Sequence, residues 1–494
     1  MSTVNSTLVH DLLVELDRTG ATPLHRQIEA ALRDGIRTGR LRHGASLPSS
    51  RRLATEIGVS RGVVVEAYNQ LLAEGYLTST PGSYTRVAAV RGQAAAAAPA
   101  PRSAGPYIDF GYGRIDPASF PREAWLRSLR RVLTNAPHSR LNYLDGYGLP
   151  ELRAAVADYL NRVRGTSADP SQVLITSGYG QAAALVIGVL AGRGARRIAV
   201  EDPSTDDIRL LAGLHGLDVV PLPVTGEGIE PSALERADAD LVVLTPSHQW
   251  PLGGVLPART RTEVVRWARA RGALVLEDDY DAEYRYDRAP IGAMQGLAAD
   301  VVLYAGSLSK ILAPGLRLGW LVVPAHLAGA IAEAKLLADR GSPAIEQLAF
   351  ADFLVRGELD RHLRRMRPVY RRRRDVLLAR LAESLPGFEP TGVAAGLHLV
   401  VWLPDGMGED DVVAAAADHG VRVAGVGPYR LAGPGRQGLI LGYGDLTEGR
   451  IAEGVEALAA AVRTLMSSSP APRCSSAPAA RSASPRSASS CIGT

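Results

Sequence analysis

Apolar residues recur every fourth position in LHRQIEAALRDGIR, at Leu24, Ile28, Leu32 and Ile36, the spacing that lines one face of a helix. A turn at RHGASL follows, then two shorter periodic stretches. Leu53, Ala54 and Ile57 mark the first, Gly58 breaks it, and Ser60 stands where a cap for the next helix belongs. Val64, Ala67, Tyr68 and Leu71 give that next helix its apolar face. Helix, glycine-containing turn and helix predicts a helix-turn-helix unit. In YLTSTPGSYTRV the pattern changes to two short strand-like runs around Pro81 and Gly82, predicting a hairpin or wing.

Further along, the pattern alternates between apolar runs of strand length and helical stretches. QVLITSG, RRIAVEDP, DLVVLTP, ALVLEDD and VVLYAGSLSK each end in small or polar residues, with helical segments such as QAAALVIGVLAG and RTRTEVVRWARARG between several of them. This texture predicts a mostly parallel sheet covered by helices, with ligand groups gathered at the strand ends. From about residue 325 the chain turns helical and arginine-rich, and it closes in a smaller α+β portion with strand candidates LHLVVWL, VRVAGVG and GLILGYG. Two stretches built from Ala, Pro, Ser and Arg interrupt the globular pattern and bury too little apolar surface to offset the entropy of ordering. The expected organisation is therefore a small domain at 1–87, a linker at 88–106, a large domain at 107–466 and a low-complexity tail at 467–494.

Composition changes this picture little. A formal net charge of +4 over 494 residues is too modest to name a partner, and the first residues carry neither the basic region nor the apolar run of a secretion signal. No apolar run approaches the ~18 residues of a membrane span, so a cytoplasmic protein with no membrane role is expected. Both cysteines, Cys474 and Cys491, fall in the low-complexity tail, and no metal site is expected.

One compositional detail does matter. The chain has only two lysines, Lys310 and Lys335, so that 53 of its 55 basic residues are arginine. Lys310 follows a strand in GSLSKILAPGLRLG, and a lysine amine condenses with an aldehyde where arginine cannot. Ser307, Ser309 and Arg317 around it suit a phosphate. In LEDDYDAEYRYD, a carboxylate at a strand end can pair with a protonated pyridine nitrogen, and Tyr280 can reach a neighbouring phenolate. In ITSGYGQAAALVIG, Ser177, Gly178 and Gly180 lie between a strand and a helix start, a natural phosphate cradle.

These segments, together with PLHRQIEAALRDGIRTGRL, LPSSRRLATEIGVSRGVVVEAYNQLLAEGYL, NYLDGYGLPELRAAVADYL and TPSHQWPLGG, resemble the MocR/GabR-type regulators. In that family a GntR-type winged helix-turn-helix is joined to an aminotransferase-like domain of the α/β, fold-type I class that uses pyridoxal 5'-phosphate (PLP). The resemblance implies that Lys310 is the Schiff-base lysine, that Arg317 and Ser307 bind the cofactor phosphate with the Ser177, Gly178 and Tyr179 segment, and that Asp278 pairs with the pyridine nitrogen, Glu277 being one register away. It further implies that Tyr280 hydrogen-bonds the 3-oxygen, that Gln249 takes the place of the aminotransferase asparagine with His248 as runner-up, and that Tyr143 reaches the phosphate of a second subunit, which requires a homodimer. On double-stranded DNA the contacts it implies are Arg51, Arg52, Ser60, Arg61 and the wing-tip Gly82, with Val65 where relatives often carry arginine.

The sequence departs from the family at three places. Ser204 and Thr205 replace a Gly-Tyr pair that brings an aromatic ring to the cofactor, for which Tyr179 is a substitute. Asp207 stands where GABA-sensing members have arginine, and Ile440 where aminotransferases carry their carboxylate-binding arginine; Arg430 and Arg436 lie in the adjacent loop but off the family spacing. Each lost arginine removes a charge-assisted contact of roughly 1.5 to 3 kcal/mol. The expectation is a regulator that senses PLP, or a small amino compound, rather than one devoted to turnover, the alternative being an active aminotransferase fused to a DNA-binding domain.

Overall fold

The computed structural model describes residues 16–79, 85–88, 107–225, 228–286, 291–392 and 394–468, which belong to two compact units, 1–103 and 104–494. In the first unit three helices span Leu24–Arg37, Ser50–Ile57 and Arg61–Ala73. Ile28, Leu32, Leu53, Val64, Ala67 and Leu71 meet in its core, each 1% exposed or less. Gly58 ends the second helix in the left-handed region at φ 66°, which glycine adopts without strain. Ser49 caps that helix, accepting from the Arg52 amide at 3.3 Å, whereas Ser60 stands at the head of the third helix without a capping bond from its hydroxyl. Strands β1 (Leu77–Thr78) and β2 (Arg86–Val87) pair antiparallel with Leu77 opposite Val87, both buried. The Ala88 amide donates to Tyr76 O at 2.9 Å, so the first residue of the expected linker still belongs to this wing. Gly82 and the rest of the linker lie outside the described residues.

The second unit opens with β3 (Ile108–Asp109) and is built on β4 (Val173–Thr176), β5 (Arg197–Asp202), β6 (Asp218–Thr225), β7 (Gly228–Ile229), β8 (Leu241–Leu244), β9 (Leu274–Asp279), β10 (Val302–Ser307) and β11 (Gly319–Val322). They form one sheet in the order β4-β11-β10-β9-β8-β5-β6-β7, parallel from β10 through β6 and antiparallel where β11 meets β10 and β4. Strand β6, absent from the expected strands, carries Pro221 and Pro223, which argue against a strand. It survives because β7 pairs with it only at Val224 and Thr225, leaving an edge that needs no amide at either proline. A second sheet, β12 (Glu389–Thr391), β13 (His398–Trp402), β16 (Gly438–Gly442) and β15 (Ala424–Gly425), is antiparallel, and β14 (Val421–Arg422) pairs with β3. The last helix, Glu448–Ser468, runs two residues into the stretch expected as tail; residues beyond it, with both cysteines, lie outside the described residues.

Under β9 a wholly buried Arg164 is 2.8 Å from Asp279, which also accepts from Tyr304 Oη at 2.7 Å. Because each charge there has a partner in hand, removing either one would strand the other at a cost of about 3–5 kcal/mol.

Candidate functional site

The carboxyl ends of the parallel strands open into a narrow cleft lined by Tyr112, Tyr179, Glu201, Trp250, Asp278 and Tyr280, among others. Alternation along β9 decides which carboxylate faces it. Glu277 is fully buried on the opposite face, where it accepts the Met294 and Gln295 amides at 3.0 Å each, and burial pushes its carboxyl up to about 7. Asp279 is taken by Arg164. Asp278, between them, faces the cleft and has no hydrogen bond among the described residues. Burial, then the charges of Asp279 and Asp281, hold its carboxyl well above the usual range, with Lys310 opposing. Such a carboxyl gains most from a fixed cationic partner, as a protonated pyridine nitrogen supplies.

Lys310 Nζ donates to Gly113 O at 2.8 Å and lies 5.3 Å from the centre of the Tyr112 ring. Burial lowers its pKa, and Asp281 and Asp278 pull the other way. A larger neutral fraction makes the amine a better nucleophile.

The phosphate end is set by strand register. Thr176 of β4 lies opposite Gly319 of β11, which lies opposite Ser307 of β10, so the chain segments after β4 and at the end of β10 flank one glycine. A Cβ on Gly319 would stand 2.8 Å from Gly178 Cα. Gly178 itself, at φ 115°, heads the helix Tyr179–Gly192, which no side chain caps. Arg317, in the left-handed region at φ 49°, is exposed, and a Cβ on Gly178 would lie 3.8 Å from its guanidinium. Among the described residues this guanidinium has no ion pair or hydrogen bond. Ser307 Oγ accepts from the Ser309 amide at 3.0 Å and keeps its own proton to give. Uncapped helix amides and an unpaired arginine fit a phosphate, so the residues present suit PLP at both of its ends.

Tyr280 Oη donates to His248 O at 2.9 Å, and Tyr112 meets its ring edge-on at 6.2 Å. Behind it His248 Nδ1 lies 3.0 Å from Asp281, and His398, whose Nε2 is 3.0 Å from Pro251 O, leaves Nδ1 without a partner. The ligand atoms of His248, Asp281 and His398 lie within 4.8 Å of one another, a set a metal ion could use, though the Asp281–His248 hydrogen bond already accounts for two of the three. Burial brings His398 down to about 3, so it is neutral.

One expectation meets a different arrangement. Gln249 is not among the cleft-lining residues: its amide donates to Pro203 O and Trp250 O and accepts from the Leu252 amide. The next residue, Trp250, faces the cleft instead. Tyr143, expected at the phosphate of a second subunit, is 89% exposed. Tyr112 and Glu201 went unread: nothing near Tyr112 in the chain hints at the cleft, and Glu201 closes an apolar strand, three residues before Ser204. Glu201, pushed by burial to about 7, accepts from Thr245 N at 3.0 Å.

Beside the cleft, sharing Trp250, Tyr112 and Tyr280 with its lining, lies an apolar cluster. Ile440, 1% exposed, clusters with Trp250, Val400 and Val426, with Tyr112, Tyr280 and Tyr429 packed against them. Tyr429 O accepts the Ser204 amide at 3.1 Å. Arg436 is engaged by Glu389, and Arg430 donates to Arg436 O at 3.0 Å. Asp207 is exposed on the helix Asp206–Leu214.

In the first unit Arg51, Arg52, Ser60 and Arg61 are all exposed. Arg52 is paired with Glu56 at 2.8 Å, and Arg61 Nε reaches Ser50 Oγ at 3.4 Å, so the heads of the second and third helices present their arginines together. Val65 is half-buried. Arg18, not foreseen, braces the turn by donating to Ile57 O and Gly58 O at 3.0 and 2.8 Å.

Comparison with known proteins bears on both units. The family model of bacterial regulatory proteins, gntR family, matches residues 24–87, and that of aminotransferase class I and II matches 106–471. The chain is 34% identical to an uncharacterized HTH-type transcriptional regulator, YhdI, of Bacillus subtilis, covering 93% of this chain and 100% of that one. It is 32% identical to the HTH-type pyridoxine biosynthesis transcriptional regulator PdxR of Corynebacterium glutamicum, covering 89% and 96%. Among solved structures it resembles LysN, alpha-aminoadipate aminotransferase of Thermus thermophilus, in complex with N-(5'-phosphopyridoxyl)-L-leucine, at TM-score 0.66 and 29% identity over 73% of this chain and 93% of that one. Among the described residues no helix is long and apolar enough to cross a membrane. A winged helix that presents arginines and a strand-end cleft suited to PLP, each within its matching family model, have one common explanation: the chain belongs to the MocR/GabR-type transcriptional regulators, PLP-binding proteins that bind DNA through a GntR-type winged helix.

Proposed function

We propose that PLP is itself the effector: its arrival in the cleft changes how the winged helices of a cytoplasmic homodimer hold operator DNA. Bound PLP supplies an aldehyde and an electron-poor ring. Lys310 offers the amine, Asp278 a carboxylate for the ring nitrogen, and Tyr280 a hydroxyl for the 3-oxygen. Ser177, Gly178, Tyr179, Ser307 and Arg317 take the phosphate, and Tyr143, exposed on the surface, reaches the phosphate of the second subunit. On DNA, Arg51, Arg52 and Arg61 approach bases or phosphates, Ser60 holds a phosphate, and Gly82 tips the wing. The expected limits, 1–87 for DNA binding, a linker over 88–106, 107–466 for the cofactor and a tail over 467–494, suit this division once Ala88 is counted with the wing and the last helix is carried to Ser468.

The observation that carries the reading is the apolar cluster around Ile440 beside the cleft. An amino acid bound there would set its carboxylate against Ile440 and Trp250, with Arg430 and Arg436 turned to other partners. PLP needs nothing from that cluster. The relative PdxR is named for pyridoxine biosynthesis, and control of vitamin B6 synthesis is the natural purpose of a PLP sensor. The likeness to a 2-aminoadipate transaminase of Thermus thermophilus, 31% identical over 73% of this chain, favours a second reading, an aminotransferase that carries a DNA-binding domain.

Fluorescence anisotropy with operator DNA selected from genomic fragments separates the two. On the sensor reading, adding PLP to the cofactor-free protein shifts the affinity for operator, and amino acids add no further shift or turnover. An operator affinity indifferent to PLP but altered by an amino acid overturns it. In the same assay Arg61→Ala is expected to weaken operator binding by about 1–3 kcal/mol.

A further inference from the structure

The second lysine of the chain sits where no cofactor touches it. Lys335 lies on the helix Ala325–Asp339 with its side chain wholly buried, and its ammonium donates to Asp339 Oδ2 at 2.6 Å. The same oxygen accepts from Gln181 Nε2 at 2.8 Å, and Gln181 Oε1 accepts from the Ser177 amide at 2.9 Å. Asp339 Oδ1 takes the Gly341 amide at 2.8 Å. One carboxylate thus gathers a lysine, a glutamine and a backbone amide, and through the glutamine it grips the turn that begins the phosphate cup.

Gln181 is the third residue of the helix that starts at Tyr179, the position from which a glutamine reaches back over a helix start. Left alone, such a side chain samples many rotamers. The bond to an ionised Asp339 is charge-assisted and roughly twice as strong as a neutral one, so it selects the rotamer that holds Ser177. Lys335, whose side chain is buried, in turn balances the charge of the exposed Asp339. The turn is also held from its other side. Tyr147 O accepts the Ile175 amide at 2.9 Å. Gly146 lies so close to the Ala332 carbonyl oxygen that a Cβ would meet it at 1.8 Å, and a Cβ on Gly341 would lie 3.3 Å from that of Leu144. The 144–148 loop and the cup are therefore packed on the same helix that carries Lys335 and Asp339.

We propose that Gln181, Asp339 and Lys335 are positioning residues for the phosphate cup, holding the Ser177 amide so that the amides after it and Arg317 converge on a phosphate. This rests on the reading of the cleft as a PLP site. The test titrates the full-length chain with PLP and with pyridoxal, which lacks the phosphate, following protein fluorescence. The wild type is expected to prefer PLP. Gln181→Met, of similar length but without the carboxamide, is expected to weaken PLP about tenfold and leave pyridoxal unchanged. Asp339→Ala alone strands the Lys335 ammonium, so the double variant Asp339→Ala/Lys335→Met keeps the test readable. It is expected to show the same selective loss with a melting temperature near that of wild type. Variants that keep the wild-type preference for PLP, or lose PLP and pyridoxal equally, overturn the positioning role alone. A wild type with no preference for PLP overturns the cofactor reading and this proposal with it.

Discussion

Two neighbourhoods of the cleft have diverged. In one lie an uncapped helix, a glycine that tolerates no side chain beside it and an Arg317 unpaired among the described residues, groups that suit a phosphate. In the other, where an amino acid would need a cation for its carboxylate, Ile440 is sealed among Trp250, Val400 and Val426. On the proposed reading, groups that hold the cofactor and groups that hold a substrate are separable parts of one fold. The difference is not a mere absence of charge. The two nearby arginines are present, but one is drawn off by Glu389 and the other by the backbone of its own loop.

The contrast can be broken most severely at Lys310. Lys310→Ala is expected to abolish covalent attachment of PLP, read by mass spectrometry after borohydride reduction, and persistent labelling at full stoichiometry would mean that another amine serves. Next in size, Asp278→Asn is expected to weaken PLP by roughly 1.5–3 kcal/mol, about ten- to a hundredfold, because a charged acceptor for the ring nitrogen is lost; an equilibrium titration measures it. The apolar cluster is probed by Ile440→Arg, which supplies the missing cation at the family position. An amino acid is expected to perturb the PLP-loaded variant's visible absorbance at about tenfold lower concentration than it does wild type. Equal responses would show that the apolar cluster was never the obstacle.

The smallest effect is on stability against pH. Glu201 and Glu277 are raised by burial from 4.5 to about 7. An acid whose folded pKa is raised gives stability that is fully present below its ordinary pKa and is lost as pH rises toward the folded value. His398 and His362, brought down by burial to about 3 and about 4, act in the opposite sense over the same window, so the carboxyls are read by difference: the melting temperature of cofactor-free Glu277→Gln relative to wild type is expected to rise between pH 4.5 and about 7, and a flat difference would contradict the burial of this carboxyl.

Much of this was legible in the chain itself, and what was not has physical causes. The helix-turn-helix core could be read because Ile28, Leu32, Val64 and Leu71 obey one periodicity within a short stretch. Lys310, Arg317 and the Ser177 turn could be read because each lies in a contiguous motif. Asp278 against Glu277 could be decided only once β9 had neighbours, since alternation tells which residues share a face but not which face is the cleft. Gln249 misled because a glutamine can serve a cofactor or its own turn, and only the positions of Pro203 O, Trp250 O and the Leu252 amide reveal the second. Tyr112 reaches the ammonium of Lys310 from nearly two hundred residues away, a proximity that no local pattern encodes.

The near-absence of lysine has a further consequence once Lys335 is seen to be buried against Asp339. Aldehydes condense with whatever exposed amines a protein surface offers, and a lysine-rich chain would accumulate scattered, slowly reversing adducts whenever PLP was plentiful. Here arginine does the work of surface solubility without offering such amines, so of the two lysine side chains only Lys310 stands open to the vitamer. On the proposed reading as a PLP sensor, the chain is thereby spared background from its own surface, selectivity reached as much by leaving amines out as by building a pocket around one.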